Sequence, residues 1–468
     1  MWTPGADRLD RANLSRFMRF LREETGNADL NSYAPLYRFS TDQSARFWTL
    51  FWDFVGIRAS GEREPVLDPG AQMAEARWFP GVSLNFAQNL LRFDDDRVAI
   101  RWHGAAEGRE ALTYGQLQRR VAALAAALRA EGLDAGDRIV SRLPHTPDAL
   151  VAMLACASIG AIWFACPPGL SAADEAVLLE RVGAARTLAA DEDLDALLAP
   201  HAEAAHDFAV LPFEHPLYLT VAGKPGAPEL LVHGAGGTLI QHLKELVLHV
   251  DLRREDKVYL QAGTESLAWY WLASALATGC TLVLTEGMEF DPATAALWDF
   301  VDEVGISVLG LHGDWFNAAA TGAIAPVDSH RLLALKTLLV AGTMPSPEGF
   351  DFAYQRIKDR LFLAPVLVGG DILACLAIGA PVLPVVRGEV PCRALGMKVE
   401  VLDPQGQPLL NEVGDLACSA PFPSLPLGFA DDADGARYLA AYFSRHEGRW
   451  SRGERALLTS RESLVVGS

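Results

Sequence analysis

A layered α/β fold built on largely parallel sheets is the expectation for this 468-residue chain, and three observations carry it. From residue 98 to about 385, apolar runs of strand length alternate with runs of helical periodicity, the rhythm of parallel strands joined by crossover helices. Ala149 to Cys166 is eighteen residues without a charge, broken by Ser158-Ile159-Gly160 and closed by Pro167-Pro168. Such a run reads as a buried helix, a tight turn and a buried strand rather than a membrane span, because a parallel core is apolar on both faces. After Val385 the pattern changes to short strands around turns such as Pro404-Gln405-Gly406, the mark of a smaller β-rich unit. Three regions follow: a cap over 1–95, a double α/β body over 96–385 and a β-rich subdomain over 386–468.

In chain order, Leu14, Phe17, Met18 and Leu21 recur at helical spacing, and Gly26 offers a stop. Phe47-Trp48 and Phe51-Trp52 form an aromatic cluster expected to pack on the body. Thr113 and Gln116 form a capping box ahead of a helix that places Leu117, Val121, Leu124 and Leu128 on one face, with Gly132 ending it. Strands are expected over 138–142 and 161–166, with a helix over 147–158 between them. Further helices are expected over 238–249, 267–278, 292–304 and 347–358. Further strands are expected over 257–261, 281–284, 307–311, 337–340 and 362–368, then 398–402 and 416–419.

Composition narrows the function. The net charge of −19 and the absence of a basic block argue against nucleic acid and anionic membrane as partners. Six cysteines are scattered without a CxxC pair, and the N-terminus lacks a secretory pattern, which points to the cytoplasm. Lysine is scarce: Lys224, Lys244, Lys257, Lys336, Lys358 and Lys398 stand against 34 arginines.

Single motifs exclude more than they assign. Gly223-Lys224 is followed by Pro225, and the leading glycine of a Walker loop is replaced by Tyr218. His233-Gly234-Ala235-Gly236-Gly237 resembles an esterase oxyanion loop, but its G-x-S-x-G partner is missing: Gly81-Val82-Ser83-Leu84 ends in Asn85. His242 and His249 lie seven apart on one helix face and read as a solvated or capped pair rather than metal ligands.

A collinear set of segments goes further. It includes Trp78-Phe79-Pro80-Gly81, Leu84-Asn85-Phe86-Ala87-Gln88-Asn89-Leu90-Leu91, and His233-Gly234-Ala235-Gly236-Gly237-Thr238 followed by Gln241-His242-Leu243-Lys244-Glu245. Ser346-Pro347-Glu348-Gly349-Phe350-Asp351, Arg387-Gly388-Glu389, Cys392-Arg393, Pro421-Phe422-Pro423-Ser424 and Asp434-Gly435-Ala436-Arg437-Tyr438 continue it. Together they resemble the acetoacetyl-CoA synthetases, a branch of the adenylate-forming, AMP-binding acyl-CoA synthetase superfamily. The resemblance implies the large N-terminal domain of the adenylate-forming fold. It also implies a ligase chemistry in which ATP·Mg²⁺ and acetoacetate give an acyl-adenylate and pyrophosphate, and coenzyme A then takes the acyl group.

The chain departs from that pattern where phosphate is held. The family loop Y-S-S-G-T-T-G-x-P-K is replaced by Thr220-Val221-Ala222-Gly223-Lys224-Pro225-Gly226-Ala227-Pro228-Glu229, one residue shorter before the histidine. Gly223 and Gly226 keep a tight turn, the hydroxyls are gone, and Glu229 stands for the closing lysine. At ~6 Å and an effective dielectric of ~20 each unit of charge is worth roughly 3 kcal/mol against one phosphate charge, so this reversal swings about 6 kcal/mol before screening. Lys224 compensates if it faces the site, and is otherwise a turn lysine in solvent. The family's G-G-T-D reads Gly369-Gly370-Asp371 after Val368, and its ribose motif H-G-D reads Arg452-Gly453-Glu454. Gly342-Thr343-Met344 matches the segment that walls the adenine, and reads equally as a plain strand-to-helix turn. The chain ends at Ser468, where family members continue into a C-terminal lid bearing a catalytic lysine.

The expectation is an acetoacetyl-CoA synthetase-lineage protein, a truncated pseudoenzyme candidate, with altered or lost ligase activity and no intact catalytic residue or metal site. Two alternatives accompany it. One is an active acetoacetate–CoA ligase with its lid supplied in trans. The other is a binding module for a short carboxylic acid, CoA or an adenine nucleotide, or one that pairs with an intact synthetase.

Overall fold

A computed structural model describes residues 2–104, 108–224 and 227–466. Its spine is a nine-stranded sheet whose middle is parallel. Along it run Phe362–Val368, Thr337–Ala341, Val308–His312, Lys257–Leu260, Thr281–Glu286 and Val98–Gly104, each parallel to the next. Antiparallel strands close both edges, Arg109–Thr113 on one side, Cys375–Ile378 and Cys392–Arg393 on the other. A second sheet of six strands holds Gly428–Phe429, Ala227–Gly234, Pro216–Lys224, Ile162–Ala165, Arg138–Ser141 and Arg186–Leu188 in that order. A four-stranded antiparallel sheet over Val399–Leu402, Val413–Cys418, Arg455–Leu458 and Leu464–Val466 forms the β-rich part.

The local signals act as the sequence predicts. Thr113 and Gln116 bond each other's backbone and start the Tyr114–Ala130 helix. The uncharged run from Ala149 occupies the Pro147–Ile159 helix, Gly160 at φ 85° and the Ile162–Ala165 strand, with its helix and strand residues buried. Among the described residues no helix is long and apolar enough to cross a membrane. The Asn13–Thr25 helix ends at Gly26, φ 67°.

Element ends differ where side chains or helix type intervene. The helix expected from 292 starts at Ala296, because Asp291 accepts from the Ala293 N–H and holds the intervening residues in a turn. The helix expected over 238–249 begins at Ala235 and widens into a π turn over Glu245–His249. His242 and His249 are therefore not solvated: they are 1% and 0% exposed.

The N-terminal helices are part of the body. Phe17 packs edge-on to Phe47 and Phe51, with ring centroids 5.9 and 5.7 Å apart. Tyr37 donates to the Met397 carbonyl at 2.9 Å, and the Asn13 N–H donates to Asp251 at 2.7 Å.

Candidate functional site

Four neighbouring parallel strands, ending at Leu260, His312, Ala341 and Val368, deliver their carboxyl ends to one cavity of about 330 Å³. Lys257–Leu260 connects to the strand on one side of it, whereas Val308–His312 leads to the strand on the other. The crevice between those two ends is the switch point at which open α/β sheets bind ligands. Gly310 belongs there because a Cβ would meet a Leu260 methyl at 2.2 Å.

The Ala235–Lys244 helix carries polar groups to the buried end. Gly236 and Gly237 let it approach closely: a Cβ on either would meet the Phe213 ring at 2.3 Å or the Pro423 carbonyl at 1.9 Å. Lys244 Nζ lies 3.1 Å from Glu245 Oε1, and both residues are buried. Glu245 also accepts from the Cys375 N–H at 2.8 Å, Trp271 Nε1 at 3.0 Å and the Cys375 thiol at 3.3 Å. Burial pushes the Glu245 carboxyl up, but Lys244, His242 and the Cys375 donors outweigh it and leave the group below its ordinary range. Burial pulls the His242 imidazole down to about 4 and the His233 imidazole to about 3. Both rings are thus neutral at pH 7. Of these groups His242, Glu245, Trp271 and Cys375 line the cavity; the rest of its wall is mostly apolar, with exposed Gln261 and His312 toward solvent.

The expected site residues fall into three places. Gly342 lines the cavity; Thr343 donates to Asp314 at 2.5 Å, and the Met344 carbonyl accepts from Asn317 at 3.0 Å. That leaves Gly342 as the member of this trio that lines the cavity. A second cluster joins Gly369-Gly370-Asp371 to Arg452 and Glu454. Gly370, at φ 70°, admits the Arg452 guanidinium where a Cβ would lie 1.4 Å from Nη1. Arg452 Nε is 2.9 Å from Asp371, which also accepts from the Tyr442 hydroxyl at 2.9 Å. Glu454 Oε1 is 3.7 Å from Arg452, while Oε2 is buried without a partner.

The third place is a hairpin. Pro216–Lys224 and Ala227–Gly234 pair in register from Tyr218↔His233 through Gly223↔Pro228 to Lys224↔Ala227. Pro225, Gly226 and the Lys224 side chain lie outside the described residues. Thr220–Lys224 and Ala227–Glu229 are thus paired strands, and the tight turn expected from Gly223 and Gly226 falls partly outside the described residues. Glu229 is no unpaired anion either. Arg181 Nη2 lies 2.9 Å from it, and Arg437 Nη1 is 2.8 Å from each of its oxygens. Both arginines also hold Asp431, at 3.0 and 2.7 Å. The nearby Arg181 and Arg437 are committed to carboxylates rather than free to hold a triphosphate, and alternate N–H groups of the ladder pair with the facing strand. Among the described residues no cluster of ligand side chains could hold a metal ion.

Sequence reasoning missed Trp271 and Cys375, which reach Glu245 from 26 and 130 residues away. No local motif marks either one. The matching run Gln241 to Glu245 was the signal available, since it holds two adjacent charges in an otherwise apolar helix.

Comparison with known proteins gives the family and the fold. A family model described as AMP-binding enzyme matches residues 86–221. The whole chain is 33% identical to the acetoacetyl-coenzyme A synthetase of Rhizobium meliloti (strain 1021), covering 78% of it. It is 34% identical to the acetoacetyl-CoA synthetase of Rattus norvegicus, again over the whole chain and 77% of that protein. The solved acetoacetyl-CoA synthetase from Streptomyces lividans superposes with a TM-score of 0.90 at 32% identity, over 99% of this chain and 79% of that one.

Proposed function

The chain belongs to the acetoacetyl-CoA synthetase family of AMP-binding acyl-CoA synthetases, and from that membership we propose a protein that keeps the short-acyl cavity and no longer makes an acyl-adenylate from ATP. One observation carries the reading: the phosphate-loop segment is a paired hairpin, locked by Glu229 between Arg181 and Arg437. Adenylation requires donors and cations that stabilise charge as it develops on the α-phosphate. Here alternate N–H groups close a ladder and Arg181 and Arg437 close ion pairs.

The cavity supports the retained half. Its buried end carries an ion pair whose acceptors are filled, so it presents no net charge to the uncharged end of a short acid. The ligand's carboxylate stays toward Gln261 and His312, where water reaches it.

A second reading, a nucleoside bound without its phosphates, is favoured by Glu454 Oε2, a buried acceptor with no partner in the ribose motif. Calorimetry separates the two. ATP·Mg²⁺ is expected to show no binding at 1 mM, and acetoacetate-dependent ATP–pyrophosphate exchange is expected to be absent. Adenosine binding that fails for ATP would favour the second reading. Exchange above background would overturn the first and point to an active ligase.

A further inference from the structure

We infer that the cavity between the N-terminal helices and the body is a second ligand site, and that it takes an amphiphilic organic anion: an oxyanion head on an apolar chain of medium length.

This cavity, of about 670 Å³, lies where the Asn13–Thr25 helix and the end of the Ser44–Val55 helix meet residues 92–93, 252–255 and 277–278. It shares no lining residue with the acyl cavity, although both lean on one helical run. Leu243 and Val247 line this one, while His242 and Glu245 line the other. Its volume is that of an ordinary small-molecule site.

Charge selects the head. Arg16, Arg92, Arg253 and Arg254 line the cavity against a single carboxylate, the exposed Glu255, in a chain whose net charge is −19. Arg253 pairs with Asp251 at 3.1 Å and Arg254 with Asp95, in both cases through Nη2. Among the described residues neither spends its Nη1, and neither Arg16 nor Arg92 has a carboxylate partner. Arg16 reaches only Asn13 Oδ1, at 3.4 Å. Arg92 donates to the Asn89 carbonyl at 2.9 Å and the Val55 carbonyl at 3.0 Å, which satisfies its hydrogens but brings no countercharge. Burial, with the Arg58 charge beside it, pulls the Arg92 guanidinium below its ordinary range. A half-buried cation among cations gains from an incoming oxyanion, and the guanidinium fork suits carboxylate and phosphate alike.

The floor selects the body. Leu243 and Leu252 are buried there, and Phe54, Val55, Phe93 and Val247 are half-buried around them. Arg254 lies over the Phe93 ring, 4.5 Å from its centroid, so charge and apolar surface meet at one edge. A bare inorganic anion would leave this floor wet, and a neutral chain would leave the arginines without a counterion. A chain with a charged head meets both.

Calorimetry on the full chain compares octanoate and octyl phosphate with octanol, which lacks the charge, and acetate, which lacks the body. The expected result is that at least one of the two amphiphilic anions binds roughly tenfold or more tightly than octanol and acetate. Raising NaCl from about 50 to about 300 mM is expected to weaken that binding several-fold. Saturating acetoacetate is expected to leave it unchanged, because the acyl cavity is separate. Arg16 is exposed, so Arg16→Glu spares the packing; it is expected to cut the affinity roughly tenfold, and Arg16→Lys less than about threefold. Octanol or acetate binding as tightly as both anions, no heat from either anion, displacement by acetoacetate, or an unaltered affinity in Arg16→Glu overturns the inference.

Discussion

Lys244 and Glu245 share a helix turn that no water reaches, so each is the other's solvent. Such pairs add little net stability over apolar residues of the same size, yet breaking one is costly, because the survivor is left charged in a low dielectric. Lys244→Met is therefore expected to destabilise the chain by about 3–5 kcal/mol. Lys244→Met combined with Glu245→Gln should recover part of that loss. Urea denaturation of the two variants checks it; an equal loss in both would mean that volume rather than charge sets the cost.

At the level of elements, the strand–helix alternation was readable because a buried parallel core imposes apolar runs of fixed length. The Phe362–Val368 strand matches its expected bounds, and the capped Tyr114–Ala130 helix begins where the capping box places it. The hairpin was not readable. Gly223 and Gly226 suggest a tight turn but not the ladder beside it, and the partners that lock it, Arg181 and Arg437, lie 48 and 208 residues from Glu229. The resemblance named residues for phosphate, adenine and ribose but gave no sign of the partners they have in the fold. Glu229→Lys, the residue that the family resemblance implies there, places three cations together. It is expected to lower the melting midpoint by roughly 2 °C or more without conferring ATP binding, as thermal scans with and without ATP·Mg²⁺ would show. The Ala436–Tyr442 helix ties the two neighbourhoods, sending Arg437 to the hairpin and Tyr442 to Asp371.

For the whole molecule, acidity is the sensitive variable. Burial holds His145 and His242 at about 4 and His233 and His249 at about 3. Each takes up a proton on unfolding, near its ordinary value of about 6.5. Below that pH the unfolded chain binds more protons, so stability falls as pH drops, by about 1.4 kcal/mol per unit for each ring. Glu245, held below its ordinary range, adds stability that is present above about pH 4.5 and is lost as pH falls through its lowered value. Denaturation midpoints at pH 7, 6 and 5 should therefore drop with a steepening slope, and a flat profile would contradict the burial of these rings. The hairpin has a last consequence, for register. Its strands are in register to the final described pair, and a strand that slips by one residue turns every side chain to the opposite face. Such a slip would carry Glu229 away from Arg181 and Arg437, so these ion pairs act as a pin that holds the alignment of the two strands as well as their charge.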